Sequence, residues 1–333
     1  MIYRLILALR HLAYNKGWKK SFKAEVPTIC VGNITVGGTG KTPHTEMILR
    51  MLLSSDRWAY SNIAVLSRGY KRKSKGFQTV DRDSTARLAG DEPLQIARKF
   101  PSVTVAVDKD RIHGCQQLKA DIIVLDDAFQ YRRLNATMNI VLVDYNRPIF
   151  KDRLMPFGRL RDLPSQIRRA QAVIVTKCPS YGLEDGEREE WRKKLGLLPE
   201  QQLFFTTMVH DAPEPVFPEA DSRYTYAHRL ILVSGIANDA PLRNHLSDTY
   251  KISRRLAFKD HHTFTRGDIR SIANAVKDVP TACIMTTEKD AQRLRDVKKM
   301  PDTIKQRLFY TPVRARFLSE EEETSFTDFI TKL

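Results

Sequence analysis

The residues with the plainest chemistry form one run, Val26-Pro-Thr-Ile-Cys-Val-Gly-Asn-Ile-Thr-Val-Gly-Gly-Thr-Gly-Lys-Thr-Pro43. A β-rich start, Val26 to Val31, leads into the glycine-dense turn Gly37-Gly38-Thr39-Gly40 and then Lys41-Thr42. Pro43 suits the first turn of a helix, where its missing N–H costs little. Strand, glycine turn, Lys-Thr and helix in this order make a phosphate cradle. Glycines let backbone N–H groups curl round an anion, and the helix N-terminus adds partial positive charge. Lys41 reaches the β- and γ-phosphates, and Thr42 binds Mg²⁺. The glycine usual five residues before Gly40 is Thr35 here. The pattern is therefore closer to the deviant Walker A loop, with Val36 where that class carries a second lysine. A plain glycine turn before a helix is the bland alternative; the full run reads as a nucleoside triphosphate site.

Carboxylates supply the second signal. Asp121-Ile-Ile-Val-Leu-Asp-Asp127 is what a buried parallel strand delivers to a Mg²⁺–phosphate site. Asp126 is the better candidate to hold Mg²⁺, directly or through water, and Asp127 assists. Gly90-Asp-Glu-Pro93 precedes a helical run, Leu94 to Lys99, so Asp91 and Glu92 stand at a helix entrance. An N-cap alone would account for Asp91 there. Asp260-His261-His262 reads equally as a surface turn, a metal site or a catalytic group. Val173-Ile-Val-Thr-Lys177 resembles the base-reading strand of GTP-binding proteins, but Pro179 replaces the expected aspartate. That argues against guanine and for ATP.

These groups need a scaffold, and the chain supplies a β/α alternation. Strands are expected at Asn62–Ser67, Val103–Val107, Asn139–Asp144 and Ala172–Thr176, with an exposed charged helix over Glu184–Lys194. Ala212-Pro-Glu-Pro-Val-Phe-Pro218 reads as a connection between domains. Beyond it come strands Arg229–Val233, Ile252–Phe258 and Ala282–Thr286, a helix Thr265–Val276, a last strand Gln306–Pro312 and a last helix Ser319–Leu333. The expected class is α/β: a P-loop NTPase core with a mostly parallel sheet plus a smaller C-terminal α/β domain. The division is residues 1–23, 24–210 for the P-loop core and 211–333 for the smaller domain, whose last helix is free to pack back on the core.

With 333 residues, 42% of them hydrophobic and 28% charged, the chain is long enough for two globular domains. A net charge of +16 points to an anionic partner. Cys30, Cys115, Cys178 and Cys283 are scattered, which speaks against a metal cluster and for a reducing compartment. In residues 1–23, Ile2, Leu5, Ile6, Leu9, Leu12 and Ala13 share one helical face among basic residues. The apolar run is shorter than the ~20 residues of a spanning helix, and no clear cleavage signal follows it. Two readings stand side by side: a basic amphipathic helix lying in a membrane interface, or a helix packed on its own domain.

The P-loop, Gly90-Asp-Glu-Pro93, Leu125-Asp-Asp-Ala-Phe-Gln130 and Phe258-Lys-Asp-His-His262, taken in order, resemble the tetraacyldisaccharide 4'-kinase family, the lipid A 4'-kinases of Gram-negative envelope synthesis. The resemblance covers nearly the whole chain. It implies transfer of the ATP γ-phosphate to the 4'-hydroxyl of a tetraacyldisaccharide 1-phosphate, with Mg²⁺. ATP would lie on Gly37, Gly38, Thr39, Gly40, Lys41 and Thr42, and the metal on Thr42, Asp126 and Asp127. The family's catalytic aspartate falls on Asp91 and its partner histidine on His261. The enzyme would sit at the cytoplasmic face of the inner membrane, peripheral through the N-terminal helix. Its partners would be a glycolipid substrate and an anionic membrane surface, with no nucleic acid and no protein partner required. Ala128 and Tyr131 stand where the family has glycine and histidine. Basic residues of Arg68–Lys75, with Arg111, Arg159 and Arg161, are candidates for the lipid 1-phosphate. The rival readings are a deviant-Walker-A NTPase activated by a protein partner, against which Val36 and the amphipathic N-terminus speak, and a nucleic-acid-binding ATPase, which lacks any aromatic-interleaved basic motif.

Overall fold

The computed structural model describes residues 2–333. Helix α1 (Ile2–Asn15) and the short strand β1 (Phe22–Lys23) precede a run of apolar strands. Strands β2 (Thr28–Asn33), β3 (Ile63–Ser67), β6 (Ile122–Asp126), β8 (Met138–Asp144) and β9 (Ala172–Thr176) are buried at every position. Unbroken burial is what a parallel sheet covered on both faces demands. Between them lie α2 (Lys41–Ser54), β4 (Gln78–Thr79), α3 (Ala86–Ala89), α4 (Asp91–Lys99), β5 (Thr104–Val107), α5 (Arg111–Gln117) and β7 (Leu134–Asn135). Helix α6 (Glu187–Leu195) and strand β10 (Gln202–His210) complete this half.

The second half holds β11 (Glu214–Pro215), β12 (Arg229–Ser234), α7 (Ala240–Ser247), β13 (Lys251–Ala257) and α8 (Arg266–Asp278). Next come β14 (Cys283–Thr287), α9 (Glu288–Arg295), α10 (Asp302–Lys305), β15 (Leu308–Thr311), β16 (Val313–Phe317) and α11 (Glu320–Thr331). Strands order as β16-β10-β9-β8-β2-β6-β3-β5-β4 in a nine-stranded sheet and as β11-β15-β14-β12-β13 in a five-stranded one. In the larger sheet only the edge pairs β10–β16 and β4–β5 are antiparallel. β2 lies between β8 and β6, so the P-loop and the end of β6 open side by side at the carboxyl edge, where such sheets bind ligands.

The chain crosses between the sheets twice, and the crossings are tied together: the Asp211 N–H donates to the Pro312 carbonyl at 3.0 Å. From Val313 the chain returns to the larger sheet, with Val313 opposite His210. The expected last strand, Gln306–Pro312, is thus followed by another, β16, and β10 is a strand without a counterpart in the sequence reading. Both escape pattern reading for a physical reason. β10 carries a buried Thr206-Thr207 pair in mid-strand, and β16 alternates Arg314 and Arg316 outward with Ala315 and Phe317 inward, as an edge strand does. Helix α4 begins at Asp91 rather than Leu94, and α6 is not wholly exposed, since it buries Trp191 and Leu195.

Ser319 caps α11 by accepting the Glu322 N–H at 3.2 Å. The helix lays Phe326 and Ile330 into the core that also holds Met47, Ile48 and Leu52 of the P-loop helix. Phe326 meets Phe204 edge-on, with ring centroids 5.1 Å apart. Phe326→Ala is expected to cost about 3–5 kcal/mol, read as a lower urea midpoint at unchanged slope; an unaltered midpoint would show that α11 adds nothing to the core.

Candidate active site

The P-loop is shaped by backbone that only glycine adopts freely. Gly37 and Gly40 have φ of 103° and 83°, and a Cβ on Gly40 would run into the Met208 methyl. Asn33 Nδ2 donates to Thr39 Oγ1 at 2.6 Å. One turn into α2, His44 is fully buried: Nδ1 lies 2.7 Å from the Gly40 carbonyl and Nε2 lies 2.9 Å from Thr206 Oγ1. A carbonyl only accepts, so Nδ1 carries the proton and Nε2 accepts from the threonine hydroxyl. Burial pushes the His44 pKa down to about 4, which keeps the ring neutral at pH 7. Lys177, at φ 62°, donates to the Gly38 carbonyl at 2.5 Å and to Asp144 at 2.7 Å. The strand read as base-recognising therefore ends on a lysine that grips the P-loop backbone.

Across from the loop, Asp126 is 1% exposed. Ser67 Oγ donates to its Oδ2 at 3.2 Å, and its Oδ1 has no partner. Burial, reinforced by the charges of Glu92 and Asp127, pushes its pKa up to about 7. A buried, under-partnered carboxylate with a lone oxygen is a position that a cation would satisfy. Asp127 turns out of the strand at φ 52°. Arg161 holds it through two nitrogens, one bond being 3.1 Å, and Lys41 Nζ lies 3.9 Å away. Burial works against its ionisation, but Lys41 and Arg161 outweigh that and lower its pKa.

The third group is assembled across the two sheets. Asp91 is the first residue of α4 rather than its N-cap, which is Gly90, and its Oδ1 still accepts the first-turn N–H of Glu92 at 3.2 Å, which leaves Oδ2 for other partners. Its Oδ2 lies 3.1 Å from His261 Nδ1 and 3.8 Å from Arg293. Burial opposes the charge of Asp91, yet the His261 hydrogen bond, Lys289 and Arg293 bring its pKa down to about 2. His261 occupies a left-handed turn at φ 59°, where its own N–H donates to the Gly235 carbonyl at 3.1 Å and Tyr70 meets its ring edge-on at 5.5 Å. The neighbouring Glu92 pairs with Lys289 of α9.

The adjacent histidines have separate fates. His262 stacks on Phe258 at 4.7 Å and bonds Asp268, the capping-box residue of α8, at 2.9 Å. It builds the fold, whereas His261 faces Asp91. In Thr287-Glu-Lys-Asp290, Thr287 caps α9, Asp290 accepts the Gly235 N–H at 2.9 Å, and Glu288 pairs with Lys99 at 2.5 Å. Tyr131 is explained locally: its hydroxyl donates to Asp110 at 2.7 Å, and Asp110 caps α5. Arg111 is buried and donates to the Asp108 carbonyl at 2.7 Å, Arg161 is committed to Asp127, and Arg159 is exposed. Asn33, His44 and Arg293 went unremarked in the sequence; nothing in their local pattern sets them apart.

A sequence profile of the family described as Tetraacyldisaccharide-1-P 4'-kinase matches residues 1–333. The chain belongs to this family. Among relatives named tetraacyldisaccharide 4'-kinase, the protein of Phocaeicola vulgatus is 40% identical over 99% of this chain and 93% of its own length. That of Parabacteroides distasonis is 42% identical over 95% and 88%. The fold is similar to that of LpxK from Aquifex aeolicus crystallised in complex with ATP. The TM-score is 0.74 at 26% identity, covering 99% of this chain and 96% of that one.

Within this 4'-kinase family member, the neutral His44 makes the P-loop acid-sensitive. Its folded pKa of about 4 lies below the ordinary value of 6.5, so the unfolded chain binds the extra proton. The His44 contribution to stability is full above pH 6.5 and is lost as pH falls toward 4. Between pH 7 and 5 that loss is about 2 kcal/mol. His44→Gln should flatten the dependence of melting temperature on pH in this window. Some slope will remain, because burial also lowers His210 to about 4. An unchanged slope would show that His44 is protonated in the fold.

Proposed function

We propose that the chain transfers the γ-phosphoryl group of ATP to the 4'-hydroxyl of a tetraacyldisaccharide 1-phosphate, with Asp91 and His261 as its catalytic pair. One observation carries the assignment of roles. Asp91 of α4 and His261 of the turn after β13 meet at 3.1 Å, and the charge of the adjacent Glu92 reaches far enough to raise Asp126. Phosphoryl transfer asks a protein mostly for positioning and charge stabilisation, plus a group that orients and deprotonates the acceptor hydroxyl.

Backbone N–H groups of Gly37, Gly38, Thr39 and Gly40 receive the phosphates, and Lys41 neutralises the β/γ end. Thr42 and Asp126, with Asp127 assisting, would hold Mg²⁺. The lone Oδ1 of Asp126 fits that use. Bound there, the ion would screen the phosphate oxygens during transfer. Asp91, its pKa near 2, is ionised at neutral pH and accepts the hydroxyl's hydrogen bond. As the new O–P bond forms and the bond from the γ-phosphorus to the bridging oxygen breaks to release ADP, the Asp91–His261 pair takes up that proton. Arg293 and Lys289 keep the carboxylate charged and still. In this scheme residues 24–210 form the kinase core and residues 211–333 bring His261 to it, with the last strand and helix returned to the core.

For residues 1–23 we propose peripheral attachment at the cytoplasmic face of the inner membrane, where ATP is available. Ile2, Leu5, Ile6 and Leu9 of α1 are exposed, Ile2 to 76%. Among the described residues no helix is long and apolar enough to cross a membrane. The net charge of +16 favours an anionic surface.

The test is transfer of label from γ-labelled ATP to detergent-dispersed tetraacyldisaccharide 1-phosphate. Lys41→Ala and Asp126→Ala should lose most turnover. Asp91→Asn and His261→Ala should lower kcat by roughly two to four orders of magnitude. Wild-type kcat in either of the last two removes that residue from the mechanism, and ATP binding without lipid labelling sinks the substrate assignment.

A further inference from the structure

Helix α1 has a second face. Tyr3, Leu7, Arg10, His11 and Tyr14 recur at helical spacing, on the stripe opposite the exposed apolar residues. Leu7 and His11 are buried, and the polar members all land on two segments, 130–132 and 161–162. Tyr3 Oη donates to the Arg161 carbonyl at 2.9 Å, and Arg10 donates to the Gln130 carbonyl at 2.6 Å. His11 Nε2 lies 2.6 Å from Asp162 Oδ1, with His11 3% and Asp162 0% exposed. Arg132 reaches His11 Nδ1 at 3.0 Å and Asn15 Oδ1 at 2.9 Å, and it covers the Tyr14 ring at 4.9 Å. Because a guanidinium only donates, His11 Nδ1 accepts and Nε2–H donates to Asp162.

Those two segments are the supports of the nucleotide end. Gln130 donates to the Asn33 carbonyl at 2.7 Å, directly ahead of the P-loop. Arg161 clamps Asp127 and also donates to Asn33, and its own N–H is tied to the Ile34 carbonyl at 2.9 Å. Arg161 stands in a loop, between an isolated bridge at Leu160 and the 3₁₀ turn Pro164–Arg169. Its place is therefore set by what grips its backbone: the P-loop strand on one side and α1 on the other.

We propose that His11 is a positioning residue. Through Asp162 and the Arg161 backbone, the inner face of α1 sets the reach of Arg161 onto Asp127. The helix then has two separable jobs, lipid contact on its outer face and alignment of the phosphate end on its inner face. The inference rests on the kinase reading and on the proposed use of Asp127. Loss of the His11–Asp162 bond leaves a buried carboxylate short of a donor and frees the backbone that carries Arg161. Misplacement on the order of 1 Å at such a clamp costs up to about 100-fold in rate.

The experiment uses the full chain with His11→Ala, His11→Gln, Tyr3→Phe and the double variant Leu5→Asp/Leu9→Asp. Three readouts are taken: kcat and KM with micellar lipid, Kd for ATP with Mg²⁺ by calorimetry, and co-sedimentation with phosphatidylcholine/phosphatidylglycerol vesicles. His11→Ala should lower kcat by roughly 10- to 100-fold and weaken ATP–Mg²⁺ binding about tenfold, with co-sedimentation and lipid KM unchanged. His11→Gln should recover most of both losses, since its amide also reaches Asp162. Tyr3→Phe, which removes a single hydroxyl and keeps the fold, should move kcat in the same direction. The double variant should lose co-sedimentation and raise the lipid KM. Wild-type kcat and Kd in both His11→Ala and Tyr3→Phe would overturn the proposal, as would a loss in His11→Ala that tracks vesicle binding. Failure of the double variant to change co-sedimentation would sink the lipid-facing reading alone, and absence of any wild-type transfer to the lipid would sink the kinase reading instead.

Discussion

Asp126 is buried at the end of β6, Asp127 is half-buried beside it and Asp91 is buried at the start of α4, and the rest of the molecule is arranged so that these charges can stand. Desolvated charges of one sign are costly unless opposite charges and hydrogen bonds meet them. Here the counter-charges come from separate places: Lys41 from the P-loop helix, Arg161 from a loop, and Lys289 and Arg293 from α9 of the smaller sheet. Only Asp126 is left short, with one oxygen unmet and a pKa near 7. The imbalance lies at the end of β6, next to the strand that leads into the P-loop.

The same constraint governs how the two sheets meet. α4 and α9 face each other through charge as much as through apolar packing. Lys99 bridges Glu46 of the P-loop helix at 2.8 Å and Glu288 of α9 at 2.5 Å, and Arg98 donates to Gln292 at 2.6 Å. Glu288 is pushed up to about 7 by burial and by Glu46, so the junction sets two buried acids against a shared Lys99, with Arg50 and Gln95 also meeting Glu46. An interface of this kind holds a defined geometry, because each carboxylate is satisfied only in register. That register is what brings His261 to Asp91.

The nucleotide loop is held by uncharged or fully committed groups rather than by a second loop lysine. Val36 stands where the deviant Walker A class would carry one, and Lys177 approaches from the neighbouring strand to bind the Gly38 carbonyl while Asp144 balances its charge. The Gly40 carbonyl accepts both the His44 backbone N–H at 3.2 Å and the His44 ring N–H at 2.7 Å, and burial keeps that ring neutral. α1 likewise has two faces. It packs on its domain with Leu7 and His11 and still exposes Ile2, Leu5, Ile6 and Leu9.

The sequence by itself determined whatever is written in local pattern. Glycine spacing with Lys41-Thr42 located the turn ahead of α2, since backbone freedom and a helix start are properties of a few adjacent residues. Unbroken apolar runs located β3, β6, β8 and β9, because a strand covered on both faces has no polar side to show. Asp126 and Asp127 were legible as the end of such a run, and residue order across the four motifs was enough to suggest the family. Tertiary structure alone decided the rest. Asp91 and His261 lie 170 residues apart, and neither carries a local mark of the other. Which of His261 and His262 faces the site depends on a left-handed turn closed by Gly235 and on an aromatic platform at Phe258. Arg161 is one arginine among many until the loop that carries it is pressed between the P-loop strand and α1. Propensity and burial act between neighbours along the chain, while charge compensation in a desolvated site acts between whatever groups the fold brings within a few ångströms.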